Sequence, residues 1–130
     1  MTFVEPLGAR TFSRALWKAM TECVVVFPEG VGVVPWMVPG GNEIAKATSE
    51  QMKSYPAVIW AQHGLFVSGA DFDETFGLMH CIEKAADIYF RARTMNGGSN
   101  EFLNTITDEG LAQIGVEFNV EINKEFLDVQ

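Results

Sequence analysis

Between Thr21 and Gly40 the chain reads TECVVVFPEGVGVVPWMVPG, and this segment constrains the fold more than any other. It is apolar enough to be buried, yet Pro28, Gly30, Pro35, Pro39 and Gly40 cut it into short pieces. A bilayer-spanning helix needs about 20 uninterrupted apolar residues. The breaks at Pro28, Glu29 and Pro35 exclude that use. Short apolar segments closed by Gly and Pro instead belong to the interior of a compact domain. A second block, WAQHGLFVSGADFDETFGL (Trp60–Leu78), repeats the theme and sets His63 between two apolar segments.

Reading outward from these blocks gives alternating short strands and helices. Thr11–Met20 is a short helix, with Thr11 or Ser13 as its cap and Leu16, Trp17 and Met20 on one face. Cys23–Phe27 is β-branched and apolar, hence a buried strand or the first helix running on. Gly30–Trp36 reads as a second strand, ended by Pro39, Gly40 and Gly41. Glu43–Ser54 is amphipathic, with Asn42 as N-cap and Ile44, Ala45, Ala47, Thr48 and Met52 on the apolar side. Pro56 forces extended backbone before a strand at Ala57–Ala61, and His63-Gly64 separates it from another at Leu65–Ser68.

A long helix follows from Phe72 to Met95. Asp71 and Glu74 form a D-x-x-E capping box at its start, and Gly97-Gly98 stops it. Its polar stripe is narrow: Asp73, His80, Lys84, Asp87 and Arg91. Phe76, Leu78, Met79, Ile82, Ala86, Tyr89 and Phe90 fill most of the rest, so this helix should pack on a sheet and on something else besides. Thr107–Phe118 is a weaker helix, and the tail carries Phe126 and Leu127. The alternation implies an α/β or α+β class.

At 130 residues the chain has the length of one domain. Its 48% apolar content excludes twelve glycines, above the soluble average, which points to surface meant for another part of the protein or another subunit. The net charge is -8, and nine Lys and Arg are scattered singly. Nucleic-acid binding needs clustered cations and is not expected. A single phosphate remains compatible, because backbone N–H groups and helix N-termini can hold it. Cys23 and Cys81 lack a C-x-x-C spacing and read as free thiols of a reducing compartment. Glu5, Pro6 and Arg10 stand where a signal peptide would need an apolar core, so a cytoplasmic location is expected.

Few residues can carry chemistry. His63 sits at a strand end before a glycine, a place for either a structural histidine or a ligand. His80 lies in the middle of the polar stripe and reads as solvent-exposed. Glu22 stands beside an apolar run, where an unpaired charge is costly, or else ends a helix as a surface acid. Glu29 has a turn role, and Cys23 sits in apolar surroundings that disfavour a thiolate. No G-x-S-x-G, H-E-x-x-H or P-loop is present.

The ordered runs TEC, FPEGVG, PWMVPG, HG, SG and DETFGL, spread from about Thr2 to Glu117, resemble the C-terminal half of the rhamnulose-1-phosphate aldolase family. These are zinc-dependent sugar-phosphate aldolases of the class II aldolase/adducin group. The resemblance implies a three-layer α/β/α fold with a mostly antiparallel central sheet, and a fourfold homotetramer with active sites between subunits. The implied activity, within rhamnose metabolism, is reversible cleavage of L-rhamnulose 1-phosphate to dihydroxyacetone phosphate and L-lactaldehyde. His63 falls on the family's third zinc-binding histidine, and Glu22 on a Glu that reaches the neighbouring subunit's site to handle protons. A catalytic zinc needs about three protein ligands. The family's His-x-His motif, main catalytic Glu and phosphate loop lie upstream of anything here. Residues 1–130 are therefore expected to be the C-terminal part of one class II aldolase domain. A non-catalytic, adducin-like assembly module and a sister sugar-phosphate aldolase or epimerase are the rival readings.

Overall fold

The computed structural model describes residue 1 and residues 7–129. Thr2, Glu5 and Pro6, which enter the sequence reading, lie outside the described residues. The element order is α1 (Ala9–Ala19), α2 (Thr21–Val26), β1 (Gly32–Val34), α3 (Asn42–Gln51), β2 (Ala57–Trp60), β3 (Gly64–Val67), α4 (Phe72–Met95), α5 (Asp108–Glu117) and a 3-10 turn at Lys124–Phe126.

The three strands form one sheet in the order β1-β2-β3. β1 and β2 run parallel, Gly32 opposite Val58 through Val34 opposite Trp60. Parallel neighbours need a long crossover, and α3 supplies it. β2 and β3 are antiparallel, from Ala57 opposite Val67 to Trp60 opposite Gly64, and a tight turn joins them. The sheet is thus mixed, with three register pairs in the parallel ladder and four in the antiparallel one.

Strand residues alternate between two clusters, as the pleat requires. Ala57, Ile59, Leu65 and Val67 pack with Leu16, Trp17, Val24, Ile82 and Ala85 of the helices. Val58 and Trp60 face the other way, toward Ile44 of α3. Ile44 of α3 thus packs against one face at Val34 and Val58, and the larger helical core lies against the other, while Phe66 of β3 stays exposed.

Several boundaries differ from the sequence expectation. Of the two readings of Cys23–Phe27 the helical one is nearer: Thr21–Val26 is a short helix and not a strand, set off from α1 by the extended Met20 at φ -152°. Its β-branched residues prefer strands, but burial of Cys23, Val24 and Phe27 against α4 and α5 overrides that preference. Neither Thr11 nor Ser13 caps α1, whose cap position is Gly8. The Ser13 hydroxyl instead accepts a 2.8 Å bond from the Val31 backbone N–H, tying α1 to the start of β1. Gly30 in that approach has φ +95°, and a Cβ there would meet Phe126 and the Ser13 hydroxyl, both at 2.6 Å. β1 is shorter than expected because Pro35 follows Val34. Asn42 is the first residue of α3 and makes no side-chain cap bond; Gly41 holds the cap position. The helix ends at Gln51, and Ala45 is exposed.

α4 follows the sequence expectation. Asp71 accepts from the Glu74 N–H at 2.8 Å, and Glu74 reaches back to the Ala70 N–H at 2.9 Å. Gly97 and Gly98 take φ +63° and +84°, and the Gly98 N–H closes onto the Arg93 carbonyl. Leu78, Ile82, Ala85 and Tyr89 form its buried face. The tail docks: Phe126 lies between Trp17 and Tyr55, with ring centroids 5.9 and 6.3 Å away. α5 is held to α1 by Asp108, which accepts from Arg14 at 2.5 and 3.0 Å and from Lys18 at 2.7 Å.

Candidate functional site

His63 stands in the turn between β2 and β3. Its backbone N–H closes the turn on the Trp60 carbonyl at 3.1 Å, and the preceding Gln62 has φ +56°. The Ala61 N–H extends the parallel pairing by donating to the Val34 carbonyl at 3.0 Å. The turn is therefore anchored on both strands that flank β2. The imidazole is exposed and lines a groove of about 310 Å³ with Ile59, Leu65, Ile82 and Glu83. Its ring packs 5.3 Å from the Trp60 indole.

Glu22 lies in the first turn of α2 and is exposed, while its neighbours Cys23 and Val24 are fully buried. The bend at Met20 sets this rotation: the short helix turns its apolar side inward and leaves the carboxylate in solvent. Among the described residues no hydrogen bond or ion pair joins Glu22 to His63, and Glu22 does not line the His63 groove. Within one chain the two residues do not form a common site. His80 is exposed on α4, its ring 5.8 Å from that of Phe76.

Among the described residues no group of three or more His, Cys, Asp or Glu side chains could hold a metal ion. A zinc therefore does not fit this chain alone; one exposed imidazole is available as a partial ligand set. The groove adds a residue that the sequence reading passed over. Glu83 brings a carboxylate to the same groove as His63. Its only sequence signal is the i,i+3 helical spacing to Ala86, which lines the same cavity.

Two further polar features bear on the helices around the site. Cys23 and Cys81 are free thiols whose sulfurs approach to 4.0 Å across α2 and α4. The Cys81 contact and burial push the Cys23 thiol well up, so it is held as a thiol. The same contact lowers Cys81, against the opposing effects of burial and Glu22. Asp108 is nearly buried, and the Arg14 guanidinium holds its carboxyl well below the usual range despite burial. This ion cluster fixes α5, which packs on α2 and so backs the helix carrying Glu22.

Comparison with known proteins agrees with this architecture. Residues 7–90 match the Class II Aldolase and Adducin N-terminal domain. A rhamnulose-1-phosphate aldolase of Listeria innocua is 47% identical over 98% of this chain and 45% of its own length. One from Pectobacterium atrosepticum is 47% identical over 92% of this chain and 42% of its own. The crystal structure of a sugar-phosphate aldolase from Thermotoga maritima superposes with a TM-score of 0.60 at 31% identity, covering 69% of this chain and 38% of that one. The chain thus spans less than half the length of the curated relatives it matches.

Proposed function

The chain belongs to the class II aldolase and adducin family, and on that premise we propose that it is the C-terminal part of a rhamnulose-1-phosphate aldolase. The reaction is reversible cleavage of L-rhamnulose 1-phosphate to dihydroxyacetone phosphate and L-lactaldehyde, in the cytoplasm. The observation that carries this reading is 47% identity to aldolases over nearly the whole chain, with His63 presented on an anchored turn beside a groove. The complete protein has a three-layer α/β/α fold and assembles as a homotetramer.

His63 is one ligand of a zinc whose other ligands come from the part of the relatives that this chain does not span. When bound, that metal supplies a Lewis acid for the substrate oxygens. This chain's own contributions are an imidazole and a proton-carrying acid. Aldol cleavage removes a proton from the hydroxyl of the carbon that becomes the aldehyde, and returns one to the carbon left on dihydroxyacetone phosphate. Glu22, exposed on α2 and not part of its own chain's groove lining, serves such a transfer in a neighbouring subunit's site.

The test is to co-express this chain with the N-terminal half of the Listeria innocua relative and to purify the complex. Dihydroxyacetone phosphate release and zinc content are then measured. The expected outcome is aldolase activity with bound zinc. His63→Ala should lose the zinc. Glu22→Ala should keep it while kcat falls by roughly a hundred- to ten-thousandfold. A well-formed complex without zinc or activity refutes the proposal and favours the adducin-like assembly reading.

A further inference from the structure

A metal-ligating histidine is ordinarily oriented by a hydrogen bond to its second ring nitrogen. Among the described residues the His63 side chain has no such bond, and Gly64 beside it offers no side chain. Among the described residues its ring packs on the Trp60 indole. We infer that Trp60 is the positioning residue for His63, and that Thr48 of α3 locks the indole that does the positioning.

The geometry is specific. Trp60 ends β2 and turns its side chain to the α3 face of the sheet. Its Nε1–H donates to Thr48 Oγ1 at 2.8 Å. Thr48 is 8% exposed, and its own hydroxyl proton goes to the Ile44 carbonyl at 2.6 Å. A threonine hydroxyl has one proton, so with that proton committed its lone pair is left to receive the indole N–H. Phe66 of β3 stacks on the indole, with centroids 4.1 Å apart and planes at 27°. His63 packs against it at 5.3 Å and 53°. The indole is thus held at its polar end by a directed bond and on its face by a second ring.

The same indole is a wall shared by two grooves. One, of about 310 Å³, contains His63. The other, of about 320 Å³, runs along α3 and includes Thr48 and Phe66. Grooves border the ring on both sides, so the Phe66 stack and the Thr48 bond together set its angle. Two residues on different elements, twelve positions apart, therefore set the direction of one exposed imidazole.

The inference rests on the reading of His63 as the functional imidazole, but its test requires no metal. In the 130-residue chain with isotope-labelled histidine, the His63 ring protons should show a ring-current displacement and a cross-relaxation contact to Trp60. Thr48→Val keeps the shape and removes the acceptor; both signatures should be lost while the fold's other shifts persist. Thr48→Ser should restore them. Unchanged His63 signals in Thr48→Val would overturn the inference. If that variant does not fold, Thr48→Ala, which also removes the acceptor and leaves the Trp60 indole in place as the reporter, replaces it with the same two outcomes. Failure of the metal reading is seen separately: His63→Ala that retains zinc in the co-expressed complex removes the ligand role, whatever the ring signals show.

Discussion

Replacing Asp108 by Asn tests whether the ion cluster under α2 stabilises this fold. Asp108 accepts four hydrogen bonds: two from Arg14, one from Lys18 and one from the Asp128 backbone N–H at 2.6 Å. Asn keeps the shape but offers one acceptor oxygen, and its NH2 faces donors. Arg14 and Lys18, only 17% and 26% exposed, are left as poorly compensated cations. Breaking one side of such a buried pair costs about 3–5 kcal/mol. That is a large share of the roughly 5–15 kcal/mol that holds a domain together. The effect should depend on pH with a definite sign. A carboxyl whose folded-state pKa is lowered stabilises fully above its unfolded value of about 3.9, and this stabilisation is withdrawn as pH falls below it. Between pH 7 and pH 3 the gap between wild type and Asp108→Asn should narrow by about 1.3 kcal/mol, since each unit below the unfolded pKa is worth 1.36. Urea unfolding followed by circular dichroism at both pH values measures it. A gap under about 1 kcal/mol at pH 7, or an equal gap at both pH values, would show that the cluster is not a net source of stability.

Phe126→Ala should cost about 3–5 kcal/mol, because the ring is 6% exposed between Trp17 and Tyr55; a loss under 1 kcal/mol by the same urea assay would mean that the tail docking is incidental. Native protein should show one thiol reactive to an aromatic disulfide reagent, Cys81, with Cys23 reacting only on denaturation, since Cys23 is fully buried; equal rates for both would contradict the burial. Phe72, Phe76 and Phe90 on α4 are 94%, 61% and 57% exposed, and Trp36 and Val38 stand out of the β1–α3 loop. The purified chain should therefore self-associate with rising concentration in light scattering, and a monomer at all concentrations would remove the case for a covered surface.

What the sequence determined by itself is local. α4 was legible from end to end, because its capping box, helical period and closing glycines all act within a few residues. β2, β3 and the turn carrying His63 were legible for the same reason: Pro56, Gly64 and Gly69 punctuate short apolar runs. The family was legible in the ordered runs from TEC to DETFGL. The tertiary structure decided whatever depends on residues far apart. TECVVV is a helix because α4 and α5 bury one side of it, although its β-branched residues favour a strand. Ser13 is a tie to Val31 instead of a cap, since its partner arrives from eighteen residues away. The grouping of Arg14, Lys18 and Asp108 joins α1 to α5, and no periodicity announces it. The Thr48–Trp60–His63 relay likewise exists only once α3 has crossed over the sheet. Local signals act through backbone torsions and neighbouring hydrogen bonds, which a sequence displays; side-chain partnerships across elements exist only when packing has brought them within a few ångströms.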